Sequence, residues 1–122
     1  MPRRRRWPVG LARVEYSAVR HILDAVRRAA STKLLFLPHA IRQMARPATM
    51  ISAREVERAV AEGQIIEDYP EDVRGPSCLM LGSGEGRPIH VVCSPKDEYL
   101  AIITAYVPDP SQWSPDFRRR VP

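Results

Sequence analysis

Gly75-Pro-Ser-Cys-Leu-Met-Leu-Gly82, a Ser-Gly-Glu-Gly turn, and then Arg87-Pro-Ile-His-Val-Val-Cys93 decide how this chain is read. Short apolar runs flank a glycine-rich turn, the pattern of two strands joined as a hairpin. The same period extends outward on both sides. Gln64-Ile-Ile-Glu-Asp-Tyr69 precedes the pair across a turn-rich loop from Pro70 to Pro76, and Tyr99-Leu-Ala-Ile-Ile-Thr-Ala-Tyr106 follows it. Consecutive strands on short loops predict an antiparallel meander over Gln64–Tyr69, Ser77–Leu81, Ile89–Ser94 and Tyr99–Tyr106.

Before Gly63 the period is helical. Val19, Ile22, Leu23, Val26 and Ala30 recur at helix spacing with Arg20, Asp24, Arg27 and Arg28 opposite, which predicts a helix over Glu15–Ala30 and leaves His21 on its solvated side. Leu34-Leu-Phe-Leu37 reads as a short first strand stopped by Pro38, followed by a short helix from Ala40 to Arg46. Ser52 with Glu55 forms a capping box, flanked by Ile51 and Val56 at the hydrophobic-staple positions, so a third helix opens there and stops at Gly63. Helices followed by a run of strands predict an α+β fold. Its N-terminal helices pack on one face of a curved antiparallel sheet of about four strands, leaving the other face for a site or a partner.

One domain is all that 122 residues accommodate, and an apolar fraction of 44% fits a folded globule. No apolar run is long enough to span a bilayer, and Met1-Pro-Arg-Arg-Arg-Arg-Trp7 lacks the apolar segment of a secretory signal, so a cytoplasmic protein with no membrane partner is expected. Residues 1–13 read as a flexible basic arm. The tail from Val107 to Pro122 is proline-rich and basic, with Trp113 and Phe117 as docking anchors. Cys78 and Cys93 cannot complete a four-ligand zinc site and read as buried apolar thiols, with a disulfide open to them only if their strands are neighbours. A net charge of +5, loaded on Arg3–Arg6, Arg20, Arg27, Arg28, Lys33 and Arg118–Arg120, suits either a polyanionic partner or a solubilising surface.

The chemistry-bearing residues are few. His90 interrupts an apolar strand, and imidazole titrates closest to neutrality of all side chains. His39, between Pro38 and Ala40, opens a helix, where it serves either as a general base or as a cap. Arg42 lies one turn on and Arg87 just before the His90 strand, each either a phosphate clamp or a solvated cation. Thr104 and Tyr106 share one face of the last strand. A four-residue loop over 95–98 would pair His90 with Ile103 and put His90 and Thr104 on opposite faces, whereas a bulge would bring them together. Glu67, Asp68 and Tyr69 offer a carboxylate at a strand end, or a solvated acidic loop. No phosphate-binding glycine loop, nucleophile elbow or pair of metal-spaced histidines occurs, so no metal or cofactor is expected.

His39-Ala-Ile-Arg-Gln-Met44, Ile51-Ser with Glu55-Val56, Gly63-Gln-Ile-Ile-Glu-Asp-Tyr-Pro70, Gly75-Pro-Ser-Cys-Leu79, Arg87-Pro-Ile-His-Val-Val92, Ile102-Ile-Thr-Ala-Tyr106, Pro108-Asp-Pro and Trp113 together resemble the bacterial domain-of-unknown-function family numbered 4258. The resemblance covers about residues 35–117. It implies a core domain over 34–117, an N-terminal helix over 14–33 outside the family, and a basic tail over 118–122. That family resembles the RelE-like toxins in its order of elements. The resemblance therefore implies an RNA endonuclease, a candidate toxin of a toxin–antitoxin pair. It would cleave RNA, ribosome-associated mRNA included, by attack of the RNA's own 2′-hydroxyl, and a small zinc-finger antitoxin would neutralise it. His39 and His90 would be the catalytic pair, Arg42 and Arg87 the phosphate contacts, and Thr104 and Tyr106 would orient RNA. Where members carry arginine four residues after the first histidine, this chain has Gln43, with Arg42 before it. A non-catalytic nucleic-acid-binding module and a protein-interaction domain are the rival expectations.

Overall fold

The structure, a computed structural model, describes the backbone of residues 12–122 and the side chains from residue 19 onward. Residues 1–11 of the expected arm lie outside the described residues, and 12–13 already belong to a helix. That helix, α1, runs Ala12–Thr32, and β1 (Leu34–Phe36), α2 (Pro38–Met44), α3 (Ala53–Glu62), β2 (Gln64–Tyr69), β3 (Ser77–Gly84), β4 (Arg87–Pro95) and β5 (Leu100–Tyr106) follow. No described helix is long and apolar enough to cross a membrane.

The sheet has five strands in the order β1-β5-β4-β3-β2, one more than the four of the expected meander. The added strand is β1, which pairs parallel to β5 with Leu34 opposite Leu100 and Phe36 opposite Ile102, so the sheet is mixed at that edge. Antiparallel pairing holds everywhere else. The fold class is α+β with three helices on one face.

Local chemistry sets the helix ends. Pro38 opens α2 rather than merely stopping β1, because a first-turn residue needs no amide hydrogen there. The capping box at α3 is complete: the Ser52 hydroxyl accepts from the Glu55 amide, and the Glu55 carboxylate accepts from the Ser52 amide. Gly63 ends α3, but with φ −83° it is not a left-handed cap. Space is what requires it, since a Cβ there would stand 2.3 Å from the Ala59 carbonyl oxygen. Gly82 on β3 shows the same pressure, its missing Cβ falling 2.4 Å from Ala59 Cα, so α3 lies almost directly on the strand.

Val26 and Ala29 of α1, Ala40 and Met44 of α2, and Val56, Ala59 and Val60 of α3 form the core with Cys78, Met80, Ile89, Val91, Cys93, Leu100 and Ile102. Complete burial of an aliphatic side chain such as Val56 stabilises by about 1.5–3 kcal/mol relative to exposure. Cys78 and Cys93 stand opposite each other on neighbouring strands as free buried thiols, with their sulfurs 4.0 Å apart.

Two bulges decide what the other face carries. On β2 the partner of Ile65 is Met80 and that of Glu67 is Leu79, so Ile66 is the extra residue. On β5, Ile102 pairs with Cys93 and Thr104 with Val92, making Ile103 the extra one. Each bulge reverses the side-chain alternation. Beyond them Glu67, Tyr69, Thr104 and Tyr106 all join His90 on the face away from the helices. The loop closes between Pro95 and Leu100 rather than Ser94 and Tyr99, and His90 faces Tyr106 rather than Ile103.

Candidate functional site

His90 lies at the centre of that second face and is completely buried. Its cover is the segment after β5. Trp113, 4% exposed, meets the imidazole edge-to-face at 4.4 Å between centroids, and Tyr106 meets it similarly at 5.3 Å. Trp113 thus takes the anchoring role expected of it on the His90 face, and Phe117 presents its carbonyl oxygen there.

Both ring nitrogens are engaged. Nε2 lies 2.9 Å from the Phe117 carbonyl oxygen, and a carbonyl only accepts, so Nε2 carries the hydrogen. Nδ1 then accepts from the Tyr106 hydroxyl at 3.2 Å. Burial lowers the imidazole pKa against the opposing pull of the Phe117 carbonyl and the Glu67 charge, which favours the neutral ring at pH 7.

Beside it lies a polar triad. Arg120 donates from Nε to Glu67 Oε2 at 2.9 Å and from Nη2 to Oε1 at 3.0 Å, and its guanidinium lies 4.8 Å over the Trp113 ring. The Tyr69 hydroxyl donates to Glu67 Oε1. Burial pushes the Glu67 carboxyl up, but hydrogen bonds from Arg120 and Tyr69 outweigh it and leave the group ionised. Burial and the same carboxylate raise the Tyr69 phenol well above its usual range. Burial raises Tyr106 as well. A base with a fixed tautomer, two phenols, a carboxylate and a guanidinium therefore share one sheet face.

The other expected site residues lie elsewhere. His39 is exposed at the second residue of α2, whose buried Ala40 and Met44 belong to the helix-side core. The two histidines occupy opposite layers of the fold, and the His39–His90 pair does not form. Arg42 is exposed on the same helix as His39. Arg87 is engaged in the fold: its guanidinium meets Glu55 Oε2 at 2.9 Å, Glu55 Oε1 at 3.1 Å and the Met50 carbonyl at 2.8 Å. Thr104, half-buried opposite Val92, and Tyr106 do share the His90 face.

Glu67, Tyr69 and Arg120 form the part of the site that sequence reasoning did not assemble. Glu67 and Tyr69 stood out only as a strand end, and Arg120 only as one cation in a basic tail. Their convergence depends on the β2 bulge and on the path of the final segment, neither of which has a local sequence signal. A cleft of about 500 Å³, lined by Arg27, Ala30, Ser31, Lys33, Leu34, Glu57, Val60 and Ala61, lies in the helix layer and lacks an acid–base pair of this kind. Among the described residues no group of three or more His, Cys, Asp or Glu side chains is placed to hold a metal ion.

Residues 36–107 match the family model described as Domain of unknown function (DUF4258), somewhat short of the 35–117 expected from the motifs. The match contains β2 to β5 and His90 but ends before Trp113 and Arg120. No curated protein and no solved structure matches the chain.

Proposed function

The chain belongs to the DUF4258 family, and we propose that it cleaves RNA by acid–base chemistry on the sheet face opposite its helices, in the manner of RelE-like toxins. The convergence of His90 and Tyr106 with the Glu67–Tyr69–Arg120 triad carries this reading. In such a reaction the RNA 2′-hydroxyl attacks the adjacent phosphorus, the bond to the 5′-oxygen breaks, and a cyclic phosphate remains. The His90 Nδ1 lone pair takes the 2′ proton, with Tyr106 as the hydroxyl that it contacts, and returns it to the departing oxygen. Arg120, exchanged from Glu67 to the phosphate, offsets the charge that builds on the phosphoryl oxygens. By the same resemblance the protein would be a cytoplasmic toxin neutralised by a small zinc-finger antitoxin.

The test is incubation of purified protein with RNA oligonucleotides and detection of cyclic-phosphate ends. His90→Gln and Glu67→Gln are expected to abolish cleavage, and His39→Ala to leave it unchanged, because His39 lies in the other layer. Full cleavage by His90→Gln would overturn the assignment.

Charge distribution supports a second reading, a non-catalytic nucleic-acid-binding module. Residues 19–62, which build the helix layer, carry eight Lys and Arg against four Asp and Glu, whereas residues 63–122 carry six against nine. A polyanion is drawn to the helix layer, where Arg42, Arg54 and Arg58 are exposed. Salt-sensitive binding, weakened by charge reversal at Arg42 and Arg58 with the RNA left intact, would favour this module over the nuclease.

A further inference from the structure

His90 cannot meet any substrate while it is completely buried, and what buries it is assembled in an unusual way. The segment after Pro108 is closed on its own hydrogen bonds. The Gln112 amide donates to the Asp109 carbonyl at 2.9 Å, Val121 to Gln112 at 3.0 Å, Ser114 to Arg119 at 2.7 Å and Phe117 to Ser114 at 2.8 Å. The Ser114 hydroxyl adds a bond to Asp116 at 2.6 Å and receives one from the Arg119 amide at 3.1 Å. Among the described residues, no backbone–backbone hydrogen bond joins residues 109–122 to the sheet. The segment is held instead by side-chain groups: the His90 bond to the Phe117 carbonyl, the Arg120 bonds to Glu67, and the Trp113 ring packed on the imidazole.

From this we infer that residues 109–121 are a pre-assembled cover that swings off the sheet as one unit, hinged where Asp109 follows Pro108, and that its opening gates access to His90. Opening breaks few bonds, because the hydrogen bonds inside the cover travel with it. Pro108 is fully buried and anchors the near side, while Asp109 moves with the cover, its carboxylate accepting from the Ser111 amide and hydroxyl at 2.8 Å each. The latch is accessible: the Arg120 side chain is 62% exposed, so an incoming phosphodiester can compete with Glu67 for the guanidinium. The turn that presents the latch carbonyl is fixed within the cover. Phe117 has φ +61°, a left-handed conformation that a bulky side chain adopts at a cost, and its carbonyl is the one presented to His90.

The gating role rests on the proposed RNA chemistry, whereas the motion does not, and the experiment separates them. In a Trp7→Phe background Trp113 is the single tryptophan. Acrylamide quenching of Trp113 and diethyl pyrocarbonate modification of His90, read by mass spectrometry, are compared with and without Arg120→Gln. Loss of an exposed latch is expected to raise both rates by roughly three- to five-fold. The hydrogen-bonded amides of Gln112, Ser114, Phe117, Arg119 and Val121 should keep their protection meanwhile, because their partners move with them. A phosphodiester probe, a DNA oligonucleotide that has no 2′-hydroxyl, should raise Trp113 quenching in the parent protein. Trp113 and His90 reached only on global unfolding, in parent and variant alike, would overturn the hinge. RNA cleavage with His90 still closed to the reagent would overturn the gate. Concerted opening without any cleavage would uphold the cover and remove the nuclease.

Discussion

Arg87 offers the sharpest test of how this fold uses its cations. It was expected to contact phosphate, yet it joins the start of β4 to the N-terminus of α3 through three hydrogen bonds. Its partner Glu55 has a side chain only 5% exposed and also closes the capping box at Ser52. Arg87→Met keeps the aliphatic stem and removes the charge, leaving Glu55 buried with one donor and the Met50 carbonyl without its guanidinium. Truncating one partner of a fully buried pair costs about 3–5 kcal/mol, and a surface pair about 1 kcal/mol or less. The Arg87 side chain is 34% exposed, between these limits, so the expected loss is about 2–3 kcal/mol. Urea denaturation followed by far-UV circular dichroism measures it directly. Arg87→Lys should recover less than half, because an ammonium cannot reproduce the two-pronged contact. The pH dependence gives a second readout. The Arg87 hydrogen bond holds the Glu55 carboxyl below its usual range even though burial opposes it. Its contribution to stability is therefore complete at pH 7 and declines as the pH falls through the folded-state value. The gap between parent and Arg87→Met should narrow on acidification. A variant within about 0.5 kcal/mol of the parent at pH 7, with RNA affinity lost, would refute the structural role and restore the phosphate contact.

Three further outcomes follow from the packing. Gly82→Ala should destabilise by about 3 kcal/mol or more in the same urea assay, because its Cβ would meet the backbone of α3 at Ala59 rather than a side chain able to yield. Glu85→Asn should stabilise by about 0.5–1 kcal/mol: Glu85 has φ +53° before Gly86 at +89°, a turn in which Asn-Gly is favoured. Cys78 and Cys93 should resist N-ethylmaleimide in the native protein and react on denaturation, as mass spectrometry would show. Both are fully buried, and the neighbouring Cys93 sulfur, together with burial, raises the Cys78 thiol well above its usual range.

What was legible in the sequence was local or periodic. The α3 capping box, the meander strands and the buried apolar thiols depend on residues a few positions apart, and the structure has them. Pro38 marks the junction between β1 and α2 in the sequence, and the structure adds its second role there, opening the helix as well as ending the strand. The face on which Thr104 and Tyr106 fall could not be settled, because alternation fixes faces only until a bulge intervenes. Ile66 and Ile103 are apolar residues among apolar residues, and nothing in their identity marks them as extra. The distance between His39 and the His90 face was equally illegible. Both are histidines in suitable local settings, and only the tertiary layering puts the sheet between their surroundings. Arg120 shows the converse limit: a cation in a run of three arginines has no local sign that it will pair with Glu67.

The parallel pairing of β1 with β5 bears on how the chain reaches this fold. The β2–β5 meander is built from neighbours in sequence, and such contacts form early because the loops to be closed are short. β1 is made before the meander but has no strand to pair with until residues 100–102 exist, on the far side of every other strand. On the ribosome, α1 and β1 therefore wait while the meander is synthesised, and the sheet is completed by a long loop closure. Refolding should accordingly show the meander protected from exchange before the β1 edge, with β1 docking as the slow, topology-limited step.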